Sequence, residues 1–123
     1  MKKSIKTFFA VIAFSVICTF VSAQYKMDGN TLVNSSNNNV GKIDSDGRTI
    51  SDASNNTIGK VDSDGKTISD SHNNTVIRIS GDVINDSHNS TVGKMSDVTS
   101  TISGAKAEAA YVALWWFIVK GNK

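Results

Sequence analysis

A repeat constrains this chain more than any other feature. Ile43–Lys60, IDSDGRTISDASNNTIGK, recurs directly as Val61–Arg78, VDSDGKTISDSHNNTVIR. A shorter copy, Met27–Lys42 (MDGNTLVNSSNNNVGK), precedes the pair, and another, Ile79–Lys94 (ISGDVINDSHNSTVGK), follows it. The units 27–42, 43–60, 61–78 and 79–94 therefore run to 16, 18, 18 and 16 residues. Such a chain folds by packing copies of one supersecondary unit, because no single copy can bury its own apolar face. A fifth unit, 95–119, departs from the pattern. It keeps Ser100-Thr101-Ile102-Ser103 where Lys66-Thr67-Ile68-Ser69 stood, then runs into AKAEAAYVALWWFIVK.

Each of the first four units reads as two short strands. The first is the Thr-Ile segment, as in Arg48–Ser51 and Lys66–Ser69. The second is the Val-Gly-Lys-Ile segment, as in Asn39–Ile43 and Thr57–Val61. Both are rich in β-branched residues and bounded by Gly, Asn, Asp and Ser. Asp28-Gly29 and Ser80-Gly81 are placed as two-residue hairpin loops, in which Gly supplies positive φ. The longer units use Asp-Ser-Asp-Gly instead, which accounts for their two extra residues. The other connection, as in Asp70-Ser71-His72-Asn73, is a turn whose Asx side chain bonds nearby backbone.

Isolated hairpins are marginal in water, and about 16 residues lies below the usual solenoid period. The expected fold is therefore all-β, a closed ring of five short β-hairpins that leaves no long exposed edge. Gly41, Gly59 and Gly93 recur in the second strands, where strands converging on a centre need small residues. The Ala-rich stretch from Gly104 to Leu114 reads as a short helical turn before the last strand. Trp115–Val119 is aromatic and β-branched, so it is expected to be that strand, closing the ring against the residues around Gln24–Met27. A competing reading makes Lys106–Val119 one amphiphilic helix outside the ring.

Residues 1–23 read as an export signal. Lys2, Lys3 and Lys6 precede the apolar run Phe8–Phe20, and Val21-Ser22-Ala23 is a small-residue cleavage site, so Gln24 is the expected mature start. The remaining 24–123 is expected to be one repeat domain, periplasmic or secreted and not membrane-spanning. Residues 1–23 hold three of the 13 basic residues and none of the 11 acidic ones, leaving ten against 11 and a net charge of −1. That balance argues against nucleic acid as a partner. Cys18, the single cysteine, leaves with the signal, so no disulfide supports the domain.

These features together resemble the small secreted five-fold β-flower proteins found mainly in Bacteroidetes. The resemblance rests on the exported signal, the hairpin repeats ending in Val-Gly-Lys-Ile, and the Ala-rich-to-aromatic tail. It implies five hairpin petals about an axis, and it implies no activity.

Few residues suggest chemistry. The Asp44-Ser45-Asp46-Gly47 and Asp62-Ser63-Asp64-Gly65 loops lack the sixth-position Gly and twelfth-position Glu of an EF-hand, and read as hairpin loops. His72 and His88 occupy the same slot in adjacent units, beside Asp70 and Asp86. Two imidazoles and two carboxylates would suit zinc or copper if they converged, and are otherwise exposed turn residues. Units one and two hold Ser36 and Ser54 in that slot, so the fold does not need histidine there. No serine sits in a nucleophile elbow, and Glu108 is the single glutamate. The expected function is a non-enzymatic structural or interaction module without cofactor, displaying polar turns to a cell-surface glycan or protein. The alternative is a glycan- or divalent-metal-binding module using the Asp/His/Asn-rich loops.

Overall fold

The computed structural model describes residues 24–122, so the export signal expected over 1–23 lies outside the described residues. Nine consecutive strands form an antiparallel meander. They are β1 (Tyr25–Asp28), β2 (Thr31–Asn34), β3 (Asn39–Ile43), β4 (Thr49–Asp52), β5 (Thr57–Val61), β6 (Thr67–Asp70), β7 (Thr75–Ser80), β8 (Val83–Asp86) and β9 (Thr91–Lys94). Helix α1 (Met95–Thr101) leads into a two-residue strand, β10 (Ile102–Ser103). A second helix, α2 (Ala109–Leu114), continues without a break into a wider π-helical turn, Trp115–Val119.

All ten strands belong to one sheet in the order β10-β1-β2-β3-β4-β5-β6-β7-β8-β9. The all-β expectation therefore holds for the repeats. The closed ring does not: β9 and β10 are the two edges of an open sheet. The chain crosses from one edge to the other through α1, which buries Met95 and Val98. β10 then lies parallel to β1, pairing Tyr25 with Ile102. Ile102 is fully buried, as is its repeat counterpart Ile68.

The sheet curls because each of the four hairpin units carries the same irregularity. Leu32 pairs with Gly41 but Val33 pairs with Asn39, leaving Val40 as an extra residue. The same shift leaves Ile58, Val76 and Val92 extra in the next three units. Such bulges bend the strand and increase its twist. Repeated once per unit, they bend the sheet around whatever packs on its apolar face.

That occupant is the tail. Trp115–Val119 is helical, which corrects its expected place as a closing strand. Buried Ala109, Ala110, Val112, Ala113, Leu114 and Trp115 point in directions about 100° apart and so cover the whole circumference of the helix. A helix buried on all sides is a core element. It lies inside the curl against β3, β4, β5 and β6, so the reading of an exposed amphiphilic helix is corrected as well. Aromatic and β-branched residues favour strands only when a sheet offers them a place. Here they gain more by filling the axis.

The strand glycines now have a physical reason. Leu32, Ile50 and Ile84 each pair with a glycine across the ladder, whereas Ile68 pairs with Ile77. A β-carbon on Gly93 would lie 2.7 Å from Cη2 of Trp115. One on Gly59 would lie 2.7 Å from Cζ of Phe117, and one on Gly41 would run into Cδ1 of Ile118. Three side chains from one turn of the tail thus rest directly on three strand backbones. The third unit supplies its own bulk at the equivalent place, where Ile77 is fully buried.

Candidate functional site

The axial helix gives the molecule two ends. One carries the hairpin loops and the start of α2; the other carries the Asx loops and the chain end. At the first end, the short loops are Gly29-Asn30 and Gly81-Asp82, one residue later than expected, since Asp28 pairs with Thr31 and Ser80 with Val83. Gly29 and Gly81 have φ of 65° and 60°, while Asn30 and Asp82 are not in the left-handed region. Gly at the first central position is the pattern of a type II′ turn. In the longer loops Asp46 organises the chain. Its Oδ1 accepts the N–H groups of Arg48 and Thr49, both at 2.8 Å, and its Oδ2 accepts the Thr49 hydroxyl at 2.6 Å. These bonds, the Thr49 hydroxyl foremost, lower its pKa from 3.8 to about 2. Asp64 repeats the arrangement with Lys66 and Thr67. The aspartates of these loops are thus engaged in holding the turn.

At the other end, four Asx loops share one geometry. Oδ1 of Asp52 accepts the N–H groups of Ser54 and Asn56, both at 2.9 Å. Asp70 does the same with His72 and Asn74, and Asp86 with His88 and Ser90. Asn34 makes the equivalent pair with Ser36 and Asn38, so a carboxylate is not required for the turn. The third loop residue is a left-handed asparagine in every case, Asn37, Asn55, Asn73 and Asn89, with φ of 66–68°. Asparagine tolerates this conformation better than most residues. The bonds from the backbone N–H groups of Asn56, Asn74 and Ser90 are the main cause lowering the pKa of Asp52, Asp70 and Asp86 respectively. These carboxyls are therefore ionised at neutral pH.

His72 and His88 are exposed at the tips of their own loops, tied to Asp70 and Asp86 through backbone N–H groups. Among the described residues, no three His, Cys, Asp or Glu side chains gather as a metal site would require. The four candidate residues are instead split between loops. Asp70 and His72 line a recess of about 430 Å³ between the second and third Asx loops. Asp52, Ser71 and Asn122 complete its polar lining, and Ile58, Phe117 and Ile118 its apolar lining.

The sequence signal for Asp52 was its position at the head of an Asx loop, which was read only as turn chemistry. Ile58 is the bulge residue, and Phe117 and Ile118 arrive from the axial helix. Nothing local in the sequence brings those three together. At the hairpin end a larger depression, about 580 Å³, is lined by residues of both signs, including Arg48, Lys66, Asp62 and Glu108. No helix among the described residues is long and apolar enough to cross a membrane. Comparison of the chain with protein families, curated proteins and solved structures finds no match.

Proposed function

We propose that this protein is an exported, non-enzymatic interaction module that presents the Asx-loop end to its partner. The observation that carries this reading is the separation of frame from displayed residue. All four loops hold the same backbone through the Asx side chain and the left-handed asparagine. The slot just before that asparagine varies in chemistry from loop to loop, through Ser36, Ser54, His72 and His88, and all four are exposed. A rigid backbone with a changeable exposed residue lowers the ordering cost of binding. The recess beside His72 gives that end a concave feature of the size that small ligands use.

The five-fold β-flower relation belongs to the same proposal. What supports it is the row of four hairpin units packed around one axial helix. Export is supported by the charge and hydropathy pattern of residues 1–23. Mass spectrometry of the exported protein is expected to find Gln24 at its start; a lipidated chain beginning at Cys18 would contradict that processing.

A glycan array probed with the exported protein tests the display reading. A companion variant carries Ser36→Ala, Ser54→Ala, His72→Ala and His88→Ala. Binding that disappears in this variant, at unchanged thermal stability, is the expected result. Binding that survives intact would move the contact surface away from the loops.

A further inference from the structure

We infer that the recess between the second and third Asx loops is a binding site for a small aliphatic amine, held as its ammonium ion. The inference deepens the reading of the Asx-loop end as a binding surface, and its occupant follows from the lining. Asp52 and Asp70 bring two carboxylates to one cavity; among the described residues no Lys or Arg lines it, and His72 is its one basic side chain. In each of them Oδ1 is committed to two loop N–H groups, while the loop backbone does not use Oδ2. The side chains of Asn56 and Asn74 also bond these carboxylates, but each carboxylate accepts up to about four hydrogen bonds, so the pair keeps acceptor capacity for a ligand.

The remaining lining selects among cations. His72 also lines the recess, but it does not gather with the two carboxylates in metal-site geometry, so a bare ion would be under-coordinated. Ile58, Phe117 and Ile118 offer apolar surface beside the acids, which suits the methylenes of an alkylamine. The ring of Phe117 is 7% exposed and gives no open face on which a sugar could stack. A cavity of about 430 Å³ falls in the range of small-molecule sites. An ammonium group donating to the carboxylates, with its chain laid on the isoleucines, satisfies both kinds of lining.

The probe is cadaverine, titrated into the purified exported protein by calorimetry and by methyl NMR. Pentanoate and pentanol serve as the charge-reversed and neutral controls. Saturable binding of cadaverine alone is expected, with shifts at the Ile58 and Ile118 methyls and weakening as salt is added. Asp52→Asn and Asp70→Asn should each weaken it several-fold, while Asp86→Asn should not. Asparagine already serves the same loop position at Asn34, so these variants keep the turn and remove the charge. Should a variant lose its cooperative melt, the wild-type methyl shifts and controls still decide. Equal binding of pentanol or pentanoate, silent methyls at saturating amine, or unchanged affinity in both variants would overturn the site. So would binding of lysine-containing peptides with none of cadaverine. These outcomes are separable from the display reading, because Asp52→Asn and Asp70→Asn leave Ser36, Ser54, His72 and His88 intact.

Discussion

Asp52 finds its hydrogen-bond partners two and four residues away, at Ser54 and Asn56; Phe117 finds its own place on the backbone of Gly59. That contrast separates the hairpin units from the C-terminal segment. The hairpins are specified by neighbours in sequence: turn glycines, Asx side chains and β-branched strands. The tail is specified by distant parts of the chain and has no meaning without them. The repeats supply a curved sheet with an empty axis, and the tail supplies the bulk. Neither half completes a core alone. The described chain has only five aromatic residues, and Tyr111, Trp115, Trp116 and Phe117 all lie in the axial segment. Aromatic side chains of this size dominate the burial in a small core.

The largest expected effect comes from removing the tail. Deleting residues 111–123 should abolish cooperative folding, seen as loss of the thermal transition by circular dichroism. A truncated chain that still melts sharply would show that the hairpins are self-sufficient after all. Trimming one side chain sharpens the same point. Phe117→Ala should cost about 3–5 kcal/mol in chemical denaturation, the usual range for a buried aromatic. A cost near that of a surface substitution would mean the axis is loosely filled.

The hairpins should respond on a smaller scale. A β-carbon at Gly29 or Gly81 would meet no heavy atom within 4 Å, so a substitution there acts through backbone strain alone. Gly29→Val and Gly81→Val should each destabilise by roughly 1 kcal/mol or more. Melts unchanged within error would deny that positive φ matters at these turns.

The smallest effect is electrostatic. Asp46 has its pKa lowered to about 2, so its contribution is present above its ordinary value of 3.8. It is lost as pH falls through the folded-state value. Asp46→Asn should therefore flatten the fall in stability between those two values, costing most at neutral pH and least in acid. An unaltered acid limb would place the acid sensitivity elsewhere.

The same contrast explains what could be read from the sequence. Strand positions were legible because each is bounded by turn chemistry within a few residues: Thr49–Asp52 and Thr67–Asp70 lie one residue on from the expected Arg48–Ser51 and Lys66–Ser69. The Asx loops were legible for the same reason. The short hairpin loops were placed one residue early, because Asp28-Gly29 reads as well as Gly29-Asn30 until the pairing of Asp28 with Thr31 is known. Gly41, Gly59 and Gly93 were correctly seen as positions that need smallness. What presses on them was invisible, since Ile118, Phe117 and Trp115 lie up to 77 residues further along the chain. The conformation of Trp115–Val119 was misread because strand propensity is local and the axial vacancy is not. Ring closure was misread because α1 stands where the other units have their hairpin turn, so β10 joins β1 in parallel and does not pair with β9. In the candidate site, Asp70 and His72 were flagged from their motif, but their apolar companions come from the tail.

The fit of tail onto glycine is the central claim, and a double-mutant cycle at Gly93 and Trp115 tests it most directly. In the wild-type background, Gly93→Ala sets a β-carbon against the far edge of the Trp115 indole and should cost about 1–3 kcal/mol, as overpacking does. Trp115→Phe withdraws that edge while keeping an aromatic ring in the core. In the Trp115→Phe background the cost of Gly93→Ala should largely vanish, giving a coupling energy of similar size. Equal costs in both backgrounds would contradict the account, because the glycine would then be serving the strand and not the tail.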